Sequence, residues 1–206
     1  MLSVSGPDIV TGPTVVSAVA LTFHGAGDPN LTAQALSITA ASGAKVTVFA
    51  VGQWLAANPS LGRDIVAAGH DLGNHTWSHQ PMTSLTLVQA TDEIRRGADA
   101  VTKAVGSAGL LFRPSGTPHS TPSITAAART VGYRRCVSYD VDPVDYADPG
   151  AELVRTRTLS AVRSGSIVSL HLGHQGTITA LPGILAGLRA RGLAAVTMTQ
   201  LLATTS

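Results

Sequence analysis

Apolar residues along the chain come in short blocks, separated by stretches in which they recur every three or four positions. Val15 to Phe23 (Val-Val-Ser-Ala-Val-Ala-Leu-Thr-Phe) is nearly all apolar and β-branched at its start, the pattern of a strand buried on both faces. Short strand-like runs follow at Lys45 to Val51, His70 to Gly73, Leu110 to Phe112, around Cys136, at Ser166 to His171 and at Ala194 to Met198. Helical stretches lie between them. At Asp28-Pro29 a carboxylate caps free N–H groups while proline takes the first helical position, and the helix runs to about Ser42 before Gly43. A second helical stretch reaches Ala68 with a break at Asn58-Pro59. Thr86-Leu87-Val88-Gln89 reads as a capping box, followed by Leu87, Ala90, Ile94, Ala98, Val101 and Val105 at helical spacing. Further helices are expected at about Thr121 to Val131, Gly150 to Val162 and Leu181 to Arg191.

About seven strands alternating with helices call for a parallel sheet with crossover helices. The expected fold class is α/β: a single domain, residues 15–206, forming a seven-stranded β/α barrel, with residues 1–14 as an N-terminal extension. Polar or titratable residues stand at the C-terminal ends of five of these strands: His24, His75, Arg113, Asp142 and His171. In a β/α barrel those ends gather on one face, where active sites lie.

Composition narrows the class. With 206 residues, 44% hydrophobic and 13% charged, the chain reads as well packed rather than disordered. A formal charge of +2, with Arg95-Arg96 and Arg134-Arg135 as isolated doublets, argues against nucleic acid as a partner. Cys136 is alone, which excludes an intramolecular disulfide and suits a buried thiol. Met1 to Pro13 has neither the basic nor the apolar region of a signal peptide, and no apolar run approaches a membrane span. The protein is expected to be a monomer, placed outside the cell or in its envelope with any leader absent from this chain; the cytoplasm is the alternative.

The densest chemistry is in Gly69-His70-Asp71-Leu72-Gly73-Asn74-His75-Thr76-Trp77-Ser78-His79. If His75 to His79 form one helical turn, both imidazoles project from the same face and can grip one cation, and neutral imidazole suits zinc. His119 and His174 fall on the same face, with solvated loop histidines as the default reading, and His70 is expected to be structural. Gly25-Ala26-Gly27 is no dinucleotide fingerprint, because Asn30 stands where the third glycine belongs. Ser164-Gly165-Ser166 lacks the nucleophile-elbow pattern.

These strings resemble the motifs of the polysaccharide deacetylases, the NodB-type carbohydrate esterases of family 4. Gly69 to His79 is similar to the family's metal motif, Lys45 to Gly52 to its second strand, and Phe112-Arg113-Pro114 to its third motif. Asp142-Pro143-Val144-Asp145-Tyr146 resembles the fourth, with Tyr146 where the family usually has Trp, and Ile167 to His171 resembles the fifth. The resemblance implies a distorted (β/α)7 barrel and removal of N- or O-acetyl groups from a sugar polymer of peptidoglycan, chitin or xylan type. It implies a divalent metal, with zinc favoured. His171 is then the general acid, with Asp145 or Asp142 raising its basicity and Trp77 and Tyr146 as aromatic platforms.

The first motif departs from the family, which reads Thr-Phe-Asp-Asp-Gly-Pro with a base and a metal ligand in the two Asp. Here Thr22-Phe23 continues as His24-Gly25-Ala26-Gly27-Asp28. His24 then completes a three-histidine metal site with His75 and His79, or replaces the base while Asp28 or water fills the metal position. A third reading is a carbohydrate-binding relic that holds metal poorly. Arg113, which in the family pairs with the catalytic Asp, is expected to find Asp28, Asp142 or Asp145 rather than His24. The working assignment is His24, His75 and His79 for the metal and His171, Asp28, Arg113 and Asp145 for catalysis.

Overall fold

The apolar run near the N-terminus becomes the strand on which the sheet is built. The computed structural model describes residues 8–203. In chain order they form β1 (Asp8–Ile9), β2 (Ala18–Gly25), α1 (Pro29–Ser42), β3 (Thr47–Ala50), α2 (Gly52–Ala57), α3 (Pro59–Ala67) and β4 (Asp71–Asn74). After these come α4 (Leu87–Val105), α5 (Pro122–Val131), β5 (Cys136–Val137), α6 (Ala151–Ala161), β6 (Ile167–His171), α7 (Gln175–Ala190), β7 (Ala194–Val196) and α8 (Met198–Ala203).

The main sheet runs β4-β3-β2-β6, with β7 also on β2, and every ladder is parallel. Helices cover it, as expected for an α/β fold whose central strand is apolar on both faces. Val19 to Leu21 are fully enclosed and Phe23 nearly so. Burial of that last ring alone is worth about 2–3 kcal/mol, and its truncation to Ala about 3–5 kcal/mol. Single residues carry the bonding past the sheet's edge. Phe112 bridges Asn74 in parallel and its carbonyl accepts the Val137 N–H at 2.8 Å, while Val141 bridges Val168. Through these links the segment 112–141 connects β4 with β6, the two outer strands.

Three boundaries differ from expectation. The Leu110 to Phe112 strand shrinks to the single bridge at Phe112, and two residues of the expected extension form β1, which pairs with β5. α7 begins at Gln175, six residues before the expected Leu181, and carries Pro182 internally. That proline forfeits one backbone hydrogen bond. Buried Ile178, Leu181, Ile184, Leu185 and Leu188 hold the helix together across it.

Because the strands are parallel, their C-terminal ends share one edge. His24 stands opposite His171 in register, and Gly25, Ala50, Asn74 and Phe112 form the next level across the sheet.

Candidate active site

Four imidazoles meet at that edge. The His24 ring lies between His75 and His171, with centroids 4.4 and 4.3 Å away, and His79 is 5.0 Å from His75. One nitrogen from each of His24, His75 and His79 lies within 4.8 Å of the other two. His75 is fully buried; its Nδ1–H donates to the Arg113 carbonyl at 2.9 Å, and its Nε2 is buried with no partner. A buried acceptor without a donor costs about 1–3 kcal/mol, and an imidazole oriented through its other nitrogen is the usual posture of a metal ligand. Burial, then neighbouring charge, holds His24 and His75 well below the ordinary histidine range, and His79 is lowered in the same way. Neutral imidazole is the form that binds a cation. The donor set therefore fits a divalent ion of zinc type.

His75 and His79 are not on a helical turn, as their spacing suggested. The stretch after β4 is a loop with Thr76 and His79 both at positive φ, 66° and 61°. Its backbone donors are drawn to α4 instead of to an i–4 carbonyl. Glu93 Oε2 accepts the N–H groups of Trp77 and Ser78 at 3.2 and 2.8 Å, and Oε1 accepts the Ser78 hydroxyl at 2.8 Å. Asn74 Oδ1 takes the Thr76 N–H at 2.9 Å while its amide donates to the Ile94 carbonyl. Gly97 lets α4 come this close, since a Cβ there would lie 2.2 Å from Asn74 Oδ1. Glu93 was missed from sequence. Its signal is a charge three residues after Ala90 and one before Ile94, within the apolar stripe of α4.

Arg113 also differs from expectation. It does pair with His24: Nη1 donates to His24 Nε2 at 3.3 Å, and Ser169 Oγ reaches the same nitrogen at 3.3 Å. A neutral imidazole nitrogen carries a lone pair, so it accepts from a guanidinium without a carboxylate. Arg113 is buried; Nε and Nη2 donate to the carbonyls of Val137 and Ser138 at 3.2 and 3.0 Å, and the guanidinium sits 4.4 Å over the Phe49 ring. Burial pulls its pKa down to about 9, with Tyr139 and Asp142 opposing. Asp142 bonds the Val144 N–H at 2.8 Å. Asp28 is exposed and caps α1 through the Asn30 N–H at 2.9 Å, so the structure does not bring it to the cluster. Gly25 faces packed atoms: a Cβ there would meet Val48 at 2.8 Å and the Ala50 Cα at 3.1 Å.

Of the two aspartates named for His171, it is Asp145 that holds it. Asp145 is buried on a short turn; Oδ1 accepts the His171 Nδ1–H at 2.7 Å, and Oδ2 accepts the His171 N–H at 2.7 Å and the Thr177 hydroxyl at 2.6 Å. This leaves Nε2 as the ring's working nitrogen, over a cleft of about 340 Å³ lined by His24, His79, Tyr139, Tyr146 and Ser169. Thr177, which fixes the second carboxylate oxygen, was also missed. Trp77 is covered by Arg96, 4.6 Å above its ring, whereas Tyr146 is exposed and edges His171 at 5.4 Å. His70 is structural as expected, accepting the Val46 N–H at 3.2 Å and meeting Thr39 Oγ1 at 3.2 Å. His119 lies near Asp8 and Ser138, outside the cluster. A larger hollow of about 660 Å³ along α4 contains no histidine.

Comparison with known proteins gives this geometry a family. The family profile described as polysaccharide deacetylase matches residues 11–136. The chain belongs to the polysaccharide deacetylase family. It is 32% identical over 194 residues to a peptidoglycan-N-acetylglucosamine deacetylase of Bacillus cereus, covering 92% of this chain and 90% of that one. A chitooligosaccharide deacetylase of Bradyrhizobium sp. is 31% identical over 159 residues, covering 76% and 71%. Among solved structures, a peptidoglycan N-acetylglucosamine deacetylase bound to a hydroxamate-type benzamide superposes with TM-score 0.89 at 25% identity, covering 97% of this chain and 94% of that one. A mutant of a Bacillus anthracis carbohydrate esterase family 4 pseudoenzyme, with restored enzymatic activity, superposes with TM-score 0.88 at 25% identity, covering 96% and 72%. In this chain the residue that meets Arg113 at the end of β2 is His24, and neither position 24 nor 25 carries a carboxylate.

Proposed function

We propose that the protein removes acetyl groups from an N-acetylglucosamine polymer of peptidoglycan or chitin type, with a divalent ion, zinc in first place, held by His24, His75 and His79. The observation that carries the reading is the His171–Asp145 pair standing beside three neutral imidazoles at the open edge of the sheet. Such an ion supplies Lewis acidity, polarising the acetyl carbonyl and making water a nucleophile near neutral pH. His75 offers the bare Nε2 and His79 the second nitrogen. His24 would hold the ion through one of its ring nitrogens. His171, its Nδ1–H fixed by Asp145, accepts a proton from the attacking water at Nε2 and returns it to the departing nitrogen. Asp145 keeps that tautomer in place and stabilises the imidazolium. Arg113 positions the site through its backbone carbonyl contact to His75.

The envelope-directed names of the relatives support a substrate outside the cytoplasm. Among the described residues no helix is long and apolar enough to cross a membrane. The absence of a carboxylate at positions 24 and 25 favours a second reading, a glycan-binding protein without turnover. Acetate release from N-acetylglucosamine oligomers decides between them. The parent releases acetate, and His171→Ala lowers kcat by a factor of about 100 or more. Saturable glycan binding with no acetate under any divalent metal establishes the second reading instead.

A further inference from the structure

Asp145 and His171 have a near copy three residues along each segment. His174 Nδ1 lies 2.9 Å from Asp148 Oδ1, and the His174 ring is 5.9 Å from that of His171. Both aspartates sit on the turn 145–147 and its end, where Val144 and Asp148 are each held at positive φ, 58° and 50°. Left-handed backbone is uncommon for such residues, and here it turns two successive carboxylates toward the end of β6. His174 precedes α7 and makes no side-chain cap to it, so the helix does not account for the ring's orientation. With Nδ1 donating to Asp148, Nε2 is bare, and no described residue hydrogen-bonds to it.

The ring forms one wall of a second cleft, about 390 Å³, whose other walls are His24, Ala26, Gly27, Val51, His79, His171 and Gly173. This cleft and the Tyr146 cleft share His24, His79 and His171 and differ in the rest of their walls. A polymer whose acetyl group reaches the histidines can therefore lay a neighbouring unit along either cleft. Part of the second cleft's wall is bare backbone, where Gly27 and Gly173 approach each other too closely for a Cβ on Gly27. The cleft's one polar group on a side chain outside the cluster is His174. A stretch of bare backbone beside one fixed hydrogen-bonding edge suits a sugar ring, which offers a flat C–H face and a hydroxyl rim.

We propose that His174, held by Asp148, is a further substrate-binding residue that hydrogen-bonds the sugar unit next to the one being deacetylated. Asp148 acts through it as a positioning residue. The assignment rests on the deacetylase reading for its substrate class, but it can be tested apart from turnover. Acetate release is measured on N-acetylglucosamine monomer and tetramer, and binding of the tetramer by titration calorimetry, for parent, His174→Ala, His174→Gln and Asp148→Ala. The ratio of kcat/KM on tetramer to that on monomer should fall about three- to tenfold in His174→Ala, through KM, the size of one lost hydrogen bond. Asp148→Ala falls in the same direction, and His174→Gln, which keeps a polar edge, recovers part of the loss. Tetramer binding weakens in parallel. If both lengths lose equally, or kcat rather than KM carries the effect, or tetramer binding is unchanged in His174→Ala, the proposal is overturned. If the parent releases no acetate, the deacetylase reading fails, and weaker tetramer binding in His174→Ala still supports this arm while equal or absent binding removes it.

Discussion

Replacing Glu93 tests how the metal-motif loop is built. Among the described residues its carboxylate is the one acceptor of the Trp77 and Ser78 N–H groups, and it also takes the Ser78 hydroxyl. Glu93→Ala leaves two backbone donors and one hydroxyl without this partner. A hydrogen bond to a charged group is worth about 1.5–3 kcal/mol, but Trp77 and Ser78 are only half-buried and water replaces part of each. The expected loss is about 3 kcal/mol, close to that of a moderate core truncation. Glu93→Gln can turn its carbonyl oxygen to the two N–H groups and its amide to Ser78 Oγ, so it should cost about 1 kcal/mol. Urea denaturation followed by circular dichroism measures both. Calorimetric zinc titration gives a second readout, with affinity expected to drop about 10- to 100-fold in Glu93→Ala because His79 loses its seat. Equal stability of Ala and Gln variants, with unchanged zinc affinity, would refute the idea that Glu93 sets the loop.

Two further outcomes follow from the packing and the charges. Gly25→Asp, which puts a carboxylate beside His24, should destabilise by about 1–3 kcal/mol against Val48 and Ala50 and raise no acetate release; a gain in turnover contradicts the packing argument. For pH, the folded metal-free protein holds His24 and His75 below their unfolded pKa of about 6.5, so the unfolded state binds more protons just below that value. Stability is thus fully present above about pH 6.5 and lost as pH falls, by at most about 1.4 kcal/mol per unit for each of the two. Urea midpoints at pH 7.5 and 5.5 check the sign, and a midpoint that rises on acidification would oppose it.

Much of the fold was legible because the apolar blocks are short and the signals at helix ends are explicit. The Thr86–Gln89 capping box and the Asp28 cap are both formed. β1 and the bridge at Phe112 were harder, since one or two paired residues leave no periodicity to read. The histidines at strand ends were recognisable because parallel strands bring their C-terminal ends together whatever the crossovers do. What pattern alone could not give was the partner of each group. His75 to His79 has helical spacing, yet Glu93 on the following helix, α4, captures its N–H groups. Arg113 was expected to need a carboxylate, but a neutral His24 nitrogen accepts from it. The first error came from taking local spacing as the source of hydrogen-bond partners that the tertiary fold supplies, the second from assuming that a guanidinium needs a charged acceptor.

The central claim is that His24 completes a three-histidine metal centre, in place of the carboxylates its first motif lacks. Metal content after zinc loading and exhaustive dialysis tests it directly, measured on the parent, His24→Ala and Asp28→Asn. The account predicts one zinc per chain in the parent and in Asp28→Asn, whose carboxylate only caps α1, and a clear deficit in His24→Ala. Full occupancy in His24→Ala together with loss in Asp28→Asn, or a parent that retains no zinc at all, would contradict it.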